Sequence, residues 1–235
     1  SYTIEKPGDI AHFAVFYGAM VKTDVVRVGN IEIGNGHFVV AAGPCSIESE
    51  EQLQQTGAAI QKAGACFLRG GMFKLRTKPG SFQGLGSQAY SIAQKVKSQL
   101  QMPFISEVTD PRQISDLYNI VDVFQVGSRN MHNYELLKEL GKSDKPVLLK
   151  RGFSGLISEW IHAAEYITTK GNPNVILCER GIRTFETSTR TTFHLNAIAY
   201  IHQYSPFPLL AYPSHATVHA QLLIPISLAA ASAGT

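Results

Sequence analysis

The stretch "VDVFQVGSRNMHNYELLKELGKSDKPVLLKRG" (121–152) contains the pattern that decides the fold. Two short apolar runs, 121–127 and 146–152, lie on either side of a helix-like segment. Runs of the same kind occur elsewhere in the chain, at 37–43, 65–70, 103–108, 174–181 and 207–213. Short apolar runs that alternate with amphipathic segments are typical of repeated βα units around a parallel sheet. We therefore predict parallel strands at all of these runs, with helices outside them.

The helix-like segments carry their own start and stop signals. One begins after a predicted cap at Ser49 and ends at Gly64, and another ends at Gly171. The first 36 residues differ, because "VRVGNIEIGNGHF" (26–38) predicts a hairpin with turns at Gly29-Asn30 and Asn35-Gly36. We predict an N-terminal extension and hairpin over residues 1–36, covering the bottom of a (β/α) barrel domain over residues 37–235.

Composition limits the class of protein. The 235 residues are 44% hydrophobic and 17% charged, which allows one large core. A net charge of +3 is too small and dispersed to indicate nucleic-acid binding. The three cysteines are far apart in the chain and favour a reducing compartment. No apolar run is long enough for a membrane span, and no early segment has the pattern of a signal peptide. We expect a cytoplasmic protein without nucleic-acid or membrane partners.

Polar and charged residues follow directly on the apolar runs. In a barrel of parallel strands these ends form one face, where active sites are built from several strands at once. The alternative for any single residue is a strand-end charge that reaches solvent. The residues in this position are Cys45, Arg69, Glu107, Arg129, Lys150, Glu179 with Arg180, and His215.

The loop "LRGGMFKLRTKPGSFQGLG" (68–86) carries the cations Arg69, Lys74, Arg76 and Lys78 and no carboxylate. Arg129, Lys150 and Arg180 would converge on the same mouth, as one or more phosphates require. Neither a Walker loop nor a G-x-G-x-x-G fingerprint is present, so phosphorylated small molecules fit better than nucleotides. The pattern predicts an anion site at the mouth of the barrel.

Cys45 and His215 are compatible with half of a divalent-metal site, because a thiolate and an imidazole favour transition metals. The alternative is a packed cysteine, since a cysteine at a strand end is more often simply buried.

The chain contains a series of longer motifs, "AGPCSIES" (42–49), "LRGGMFKLRT" with "SFQGLG" (68–86), "SEVTDP" (106–111), "QVGSRNM" (125–131), "KPVLLKRG" (145–152), "GNPNVILCERGIRTFE" (171–186) and "PSHAT" (213–217). In order and spacing they resemble one family, the type I beta class of 3-deoxy-D-arabino-heptulosonate 7-phosphate (DAHP) synthase. The resemblance implies a (β/α)₈ barrel that condenses phosphoenolpyruvate with erythrose 4-phosphate at the entry to the shikimate pathway, using a divalent metal.

The same resemblance implies roles for individual residues. Arg76 and Thr77 would bind the phosphate of the aldehyde, while Lys74 would lie between the substrates and transfer a proton. Cys45 and His215 would bind manganese or another transition metal, with His215 part of the catalytic centre. A homo-oligomer, either a dimer or a tetramer, is also expected. The residues implied to bind phosphoenolpyruvate are Arg69, Lys74, Arg129, Lys150 and Arg180.

The chain departs from the family pattern at three positions. Tyr212 stands in place of Asp, Val218 in place of Gly, and Leu75 in place of Pro. The eighth strand and helix of the family, with a Glu and an Asp as further metal ligands, would follow residue 235, so we expect them to be missing from this chain. Two alternatives therefore remain open. One is a barrel homologue that binds phosphorylated ligands or a partner without turnover. The other is KDO-8-phosphate synthase, which differs by an Asn-containing loop where this chain has "KLRT" (74–77).

Overall fold

The computed structural model describes residues 23–235, and parallel strands occur at all of the predicted runs. An antiparallel hairpin precedes them, formed by β1 (Val26–Val28) and β2 (Ile31–Ile33). The main sheet has seven parallel strands in sequence order. They are β3 (Ala41–Ala42), β4 (Phe67–Arg69), β5 (Phe104–Val108), β6 (Val123–Val126), β7 (Val147–Lys150), β8 (Val175–Glu179) and β9 (Leu209–Ala211).

Helices connect the strands, as the alternating pattern predicts. Short 3₁₀ turns at Gly86–Gln88 and Ser128–Asn130 precede two of them. Ser49 is the cap of the first helix, since its hydroxyl accepts a hydrogen bond of 3.0 Å from the backbone N–H of Gln52. The helices are α1 (Glu50–Lys62), α2 (Ala89–Leu100), α3 (Gln113–Leu117), α4 (Tyr134–Leu140), α5 (Ile157–Thr168), α6 (Leu195–Tyr204), α7 (Pro213–Thr217) and α8 (Ala220–Ser232).

Alternate residues of each strand face the helices and form the main core. Phe104, Leu149 and Leu177 are buried there against side chains of the helices. Trp160 of α5 is also fully buried, and its indole N–H donates to the backbone oxygen of Leu149 over 3.1 Å. Among residues 23–235, no helix is long and apolar enough to cross a membrane.

The other face of the sheet is covered at its N-terminal end by the hairpin, as predicted. Val26, Val28 and Ile33 pack against a layer of inner-facing side chains near the starts of the strands. That layer consists of Phe67, Ile105, Val123, Leu148 and Ile176. The predicted turn at Asn35 and Gly36 is present, with φ of 50° and 87°. The hairpin thereby closes the apolar end of the barrel interior.

The strand β3 is shorter than the apolar run 37–43 from which it was predicted. Phe38 and Val40 are 71% and 41% exposed, whereas Val39 packs against the inner apolar cluster, so the first part of the run is covered on one side only. Within residues 23–235, β3 pairs with β4 alone and β9 with β8 alone. A strand bonded on one side has half the ladder of a central strand, and regular pairing here is limited to Ala41 and Ala42.

Val218 occupies a strained backbone position at the end of α7. Its φ is 63° and its ψ is −21°, which lies in the left-handed region. A β-branched side chain is unfavourable there because its Cβ approaches the carbonyl oxygen. Glycine, which the family resemblance expects at this position, would have no such conflict.

We expect the substitution Val218→Gly to stabilise the protein. Relief of the left-handed strain should gain about 1–2 kcal/mol, and the greater freedom of glycine in the unfolded chain should offset about half of it. Chemical denaturation should show a net rise of about 0.5–1 kcal/mol in the free energy of unfolding. Val40→Gly is the matched control, because Val40 is also partly exposed but has no positive φ. This substitution should lower the free energy of unfolding. A fall in stability for Val218→Gly would contradict the strain.

Candidate active site

A second inner layer lies two residues further along the strands, above the apolar layer. Because side chains alternate between faces with a period of two, each apolar inner residue is followed by another inner residue at the C-terminal end of the strand. These residues are Arg69, Glu107, Gln125, Lys150 and Cys178, and each is at most 7% exposed. The barrel interior therefore changes from apolar to polar toward the ends of the strands.

A cavity of about 280 Å³ opens above this layer, at the C-terminal face. Nearly all of the site residues predicted from the sequence line it, namely Cys45, Lys74, Arg76, Thr77, Arg129, Lys150, Arg180 and His215. Arg69 is the exception, since it lies just beneath the lining, with its guanidinium carbon 5.4 Å from the ring centre of Tyr212. The predicted cations thus converge on one place.

Arg69 is held in position but not neutralised. One terminal nitrogen donates to the backbone oxygen of Pro44 over 3.1 Å. The other, Nη2, is buried and has no hydrogen-bond partner among the described residues. A buried donor without a partner costs free energy, so this nitrogen is suited to an anionic ligand.

Lys150 is 3% exposed, and its ammonium lies 4.3 Å from the ring centre of Tyr212. Burial lowers its pKa to about 7, and the nearby charge of Arg69 acts in the same direction. The ammonium form would be favoured again by a bound anion, because an opposite charge raises the pKa of a lysine.

Arg129 precedes Phe153 in the sequence and Arg180 follows it, and both side chains lie close to the Phe153 ring. Their guanidinium carbons are 5.3 Å and 4.6 Å from its centre. Arg129 also donates to the hydroxyl of Thr77 over 2.7 Å, which connects it to the loop 68–86. Arg180 is 2% exposed, and burial followed by the charge of Arg190 lowers its pKa to about 10. Within residues 23–235, neither arginine forms an ion pair with a carboxylate.

The loop 68–86 folds back on itself and places Lys74 over the cavity. The backbone N–H of Lys74 donates to Gln83 over 2.8 Å, and that of Gly86 to Met72 over 2.9 Å. Gly84 has φ of 93°, and a Cβ there would lie 2.2 Å from the backbone oxygen of Met72, so only glycine fits. The tight return explains the glycines that punctuate this loop.

Within the described part of the chain, Lys74 has one carboxylate near it. Its ammonium is 3.9 Å from Oε2 of Glu107, which also accepts a hydrogen bond of 3.3 Å from Gln125. Glu107 lines the cavity as well. A lysine between a carboxylate and the cavity is able to exchange a proton with a bound molecule.

Cys45 and His215 follow strands at opposite ends of the sheet, yet their side chains meet. The distance from Sγ of Cys45 to Nε2 of His215 is 3.9 Å. One metal ion can contact both atoms, because typical bonds of about 2.3 Å to sulfur and about 2.1 Å to nitrogen together exceed that distance. The described residues contain no group of three or more His, Cys, Asp and Glu side chains suited to a metal. The structure therefore provides two adjacent donors.

The protonation of both donors suits metal binding. Burial and the nearby charges of Lys150 and Arg69 lower the pKa of His215, which keeps the imidazole neutral. Burial by itself raises the pKa of Cys45, but hydrogen bonding and the charge of Lys74 outweigh it, so the pKa lies below its usual value of 9.0. Cys45 is exposed, in contrast to the alternative of a packed cysteine.

Tyr212, one of the three departures from the family pattern, lies at the centre of the site. Its ring stacks on His215, with centres 4.1 Å apart and an interplanar angle of 26°. Leu75, the departure in the loop 68–86, lines the cavity. Two of the three unusual residues therefore contact the site, and the third, Val218, ends the helix that carries His215.

Glu179 has a different role from the one that its strand-end position suggested. It is fully buried and accepts a hydrogen bond of 3.0 Å from Arg151, while its other oxygen accepts one of 2.7 Å from the backbone of Gly181. Arg151 also donates to the backbone oxygen of Gly155 over 2.9 Å. This pair fixes the two strand ends that carry Lys150 and Arg180.

Phe153 and Arg190 are among the residues that line the cavity and that the sequence did not single out. Both lie in loops after apolar runs, where hydrophobic periodicity does not predict which way a side chain points. The charge of the loop 181–192 is the signal that could have indicated Arg190. This loop contains two arginines, Arg183 and Arg190, and one carboxylate, Glu186.

Comparison with known sequences places these features in context. A curated phospho-2-dehydro-3-deoxyheptonate aldolase from Thermotoga maritima is 42% identical over 210 residues, which are 89% of this chain and 62% of that protein. A 2-dehydro-3-deoxyphosphooctonate aldolase from Francisella tularensis is 29% identical over 167 residues, which are 67% of this chain and 60% of that protein. The chain spans about three fifths of the length of these relatives.

Comparison with solved structures leads to the same group of proteins. The crystal structure of the Thermotoga maritima phospho-2-dehydro-3-deoxyheptonate aldolase (DAHP synthase) matches with a TM-score of 0.86 at 40% identity, over 91% of this chain and 62% of that one. A truncated form of 3-deoxy-D-arabino-heptulosonate 7-phosphate synthase from the same organism matches with a TM-score of 0.84 at 39% identity, over 91% and 78%. The expected (β/α)₈ barrel-like fold is thus confirmed. The DAHP synthetase I family model matches residues 18–235, and the chain belongs to that family.

Proposed function

We propose that this chain carries the substrate sites of an enzyme that condenses phosphoenolpyruvate with erythrose 4-phosphate to give DAHP and phosphate. The observation that carries the proposal is the buried group of cations, in which Arg69, Lys150 and Arg180 are at most 7% exposed and form no ion pair within residues 23–235. Two phosphorylated substrates held side by side would supply the missing negative charge, and their mutual repulsion would be offset by these cations.

The proposed roles follow from how deeply each cationic side chain is buried. Arg69, Lys150 and Arg180 are the deepest cations and would bind phosphoenolpyruvate together with Arg129, which is exposed at the mouth. Arg76 and Thr77 are exposed in the loop 68–86 and would bind the phosphate of the aldehyde. Lys74, between the two groups, would contact both substrates.

The proposed reaction balances without an added oxidant or reductant. C3 of phosphoenolpyruvate forms a bond with the aldehyde carbon, and the aldehyde oxygen takes a proton, for which Lys74 is the candidate donor. Water adds at C2, and phosphate leaves by cleavage of the C–O bond. Fixed cations around the cavity hold the two anions in contact and stabilise the charge that develops as the bonds change.

Cys45 and His215 would hold a divalent transition metal, manganese or another, in the same proposal. Such an ion supplies Lewis acidity toward a carbonyl oxygen or orients water. The contribution of the chain is a neutral imidazole and an acidified thiol 3.9 Å apart.

The octonate alternative, KDO-8-phosphate synthase, has weaker support, since that relative is 29% identical against 42% for the heptonate enzyme. A homologue that binds the same ligands without turnover would show the binding described below and no release of phosphate. A homo-oligomer, either a dimer or a tetramer, and a cytoplasmic location belong to the same proposal.

Loss of single arginines tests the anion site. Arg180→Ala should weaken phosphoenolpyruvate binding by about 2–4 kcal/mol, because it removes a charge-assisted contact from a desolvated pocket. Arg129→Ala should cost less, about 1–2 kcal/mol, since this guanidinium is exposed. Arg76→Ala should instead mainly raise the KM for erythrose 4-phosphate. Titration calorimetry and steady-state kinetics measure these effects.

Arg112→Ala is the control for the loss of a surface guanidinium. Arg112 pairs with Asp110 at 2.7 Å and does not line the cavity. It should leave binding unchanged. Equal affinity for phosphoenolpyruvate in the wild type, Arg129→Ala and Arg180→Ala would refute the assignment of the site.

Thermal stability with and without manganese tests the metal site. Manganese at 100 times its Kd should stabilise the folded protein by about 2.7 kcal/mol, and a chelator should remove that gain. Cys45→Ser and His215→Ala should each abolish the thermal shift, because each removes one of two adjacent donors. Differential scanning calorimetry with and without the ion provides a readout that does not depend on activity.

Two variants serve as controls for the metal experiment. Cys66→Ser removes a half-buried thiol away from the cavity, and His219→Ala removes an exposed imidazole four residues after His215. Both should keep the full thermal shift. The metal assignment would be wrong if Cys45→Ser and His215→Ala kept it too.

A further inference from the structure

The ring of Phe153 has three arginine side chains around it. The guanidinium carbons of Arg129, Arg180 and Arg183 lie 5.3, 4.6 and 4.9 Å from its centre. All three distances are within the range of about 6 Å in which a ring attracts a cation. Phe153 also lines the cavity, so the contacts between its ring and the arginines are made at the edge of the cavity.

The backbone around Phe153 is fixed from two sides. Its carbonyl oxygen accepts a hydrogen bond of 2.7 Å from the backbone N–H of Arg183, which joins it to the loop after β8. On the other side, Arg151 donates to the backbone oxygen of Gly155 over 2.9 Å and closes the turn that carries the ring. The ring is therefore anchored in a defined position between strands β7 and β8.

Three like charges around one point need an attractive partner. Among residues 23–235, no carboxylate forms an ion pair with Arg129, Arg180 or Arg183. The ring faces supply negative potential without accepting the N–H hydrogen bonds of a guanidinium, so the donors remain available. A carboxylate in the same place would hold the arginines equally well but would occupy those donors and repel an anionic substrate.

We propose that Phe153 is a positioning residue of the anion site: its ring holds Arg129 and Arg180 at the spacing at which one anionic group of the substrate contacts both. This inference rests on the proposed function, because it takes the bound anion to be phosphoenolpyruvate. It gives the ring a role that an aliphatic side chain of similar bulk cannot perform.

The test compares an aliphatic and an aromatic replacement. Phe153→Leu should raise the Kd for phosphoenolpyruvate by about 5- to 30-fold, while Phe153→Tyr should stay within about twofold of the wild type. In steady-state kinetics, Phe153→Leu should raise the KM for phosphoenolpyruvate by a larger factor than it lowers kcat. Phe185→Leu is the matched control, since Phe185 is 98% exposed, and it should change neither constant.

Arg180→Ala measured beside these variants separates the two levels of the argument. If Arg180→Ala weakens binding and Phe153→Leu does not, the positioning role is overturned and the anion site stands. An equal loss in Phe153→Leu and Phe153→Tyr also overturns it, because the ring would then not be the feature that matters. If Arg180→Ala leaves binding unchanged, the anion site fails and this inference fails with it.

Discussion

Along each strand, the inner face of the sheet changes from apolar to polar or charged over a step of two residues. The rest of the site depends on that change. The hairpin β1–β2 seals the apolar layer, so Phe67 and Leu148 are buried at the N-terminal end. The next inner residues, Arg69 and Lys150, are left as the floor of the cavity. Charges that are held on a dry, packed layer interact more strongly with a ligand than the same charges in water.

Neighbouring residues at the C-terminal ends of β7 and β8 differ in whether their buried charges are paired. Arg151 and Glu179 lie on the helix-facing side and neutralise each other at 3.0 Å. Lys150 and Arg180, one residue away from each, lie on the inner side without a carboxylate partner, and burial lowers the pKa of both. The outer pair is a structural ion pair. The inner cations lower the stability of the unliganded protein and provide binding free energy when an anion arrives.

Much of this arrangement could be predicted from the sequence. Each apolar run contains a strand, and a period of two within a run is enough to place Arg69, Glu107 and Lys150 in one layer. The same rule separates Lys150 from Arg151, although both lie at the end of the same run. Phe153 and Arg190 could not be found in this way, since they belong to loops whose paths depend on tertiary hydrogen bonds rather than on periodicity. The grouping of Glu179 with the mouth residues is wrong, because its position in β8 places the carboxylate on the helix-facing side, where it pairs with Arg151.

Tyr212 shows what the curvature of the sheet adds beyond the order of its strands. Arg69 belongs to β4 and Lys150 to β7, and Tyr212 follows β9, yet the one ring lies 5.4 Å from the first cation and 4.3 Å from the second. It also stacks on His215, whose partner Cys45 follows β3 at the other end of the sheet. Contacts between such distant strands require the sheet to curl until its ends meet at the mouth. The aromatic ring at that point attracts both cations through its faces and does not neutralise them. The Asp of the family pattern would add a negative charge beside the same two cations, so the uncharged ring leaves the floor of the cavity more positive than the family pattern would.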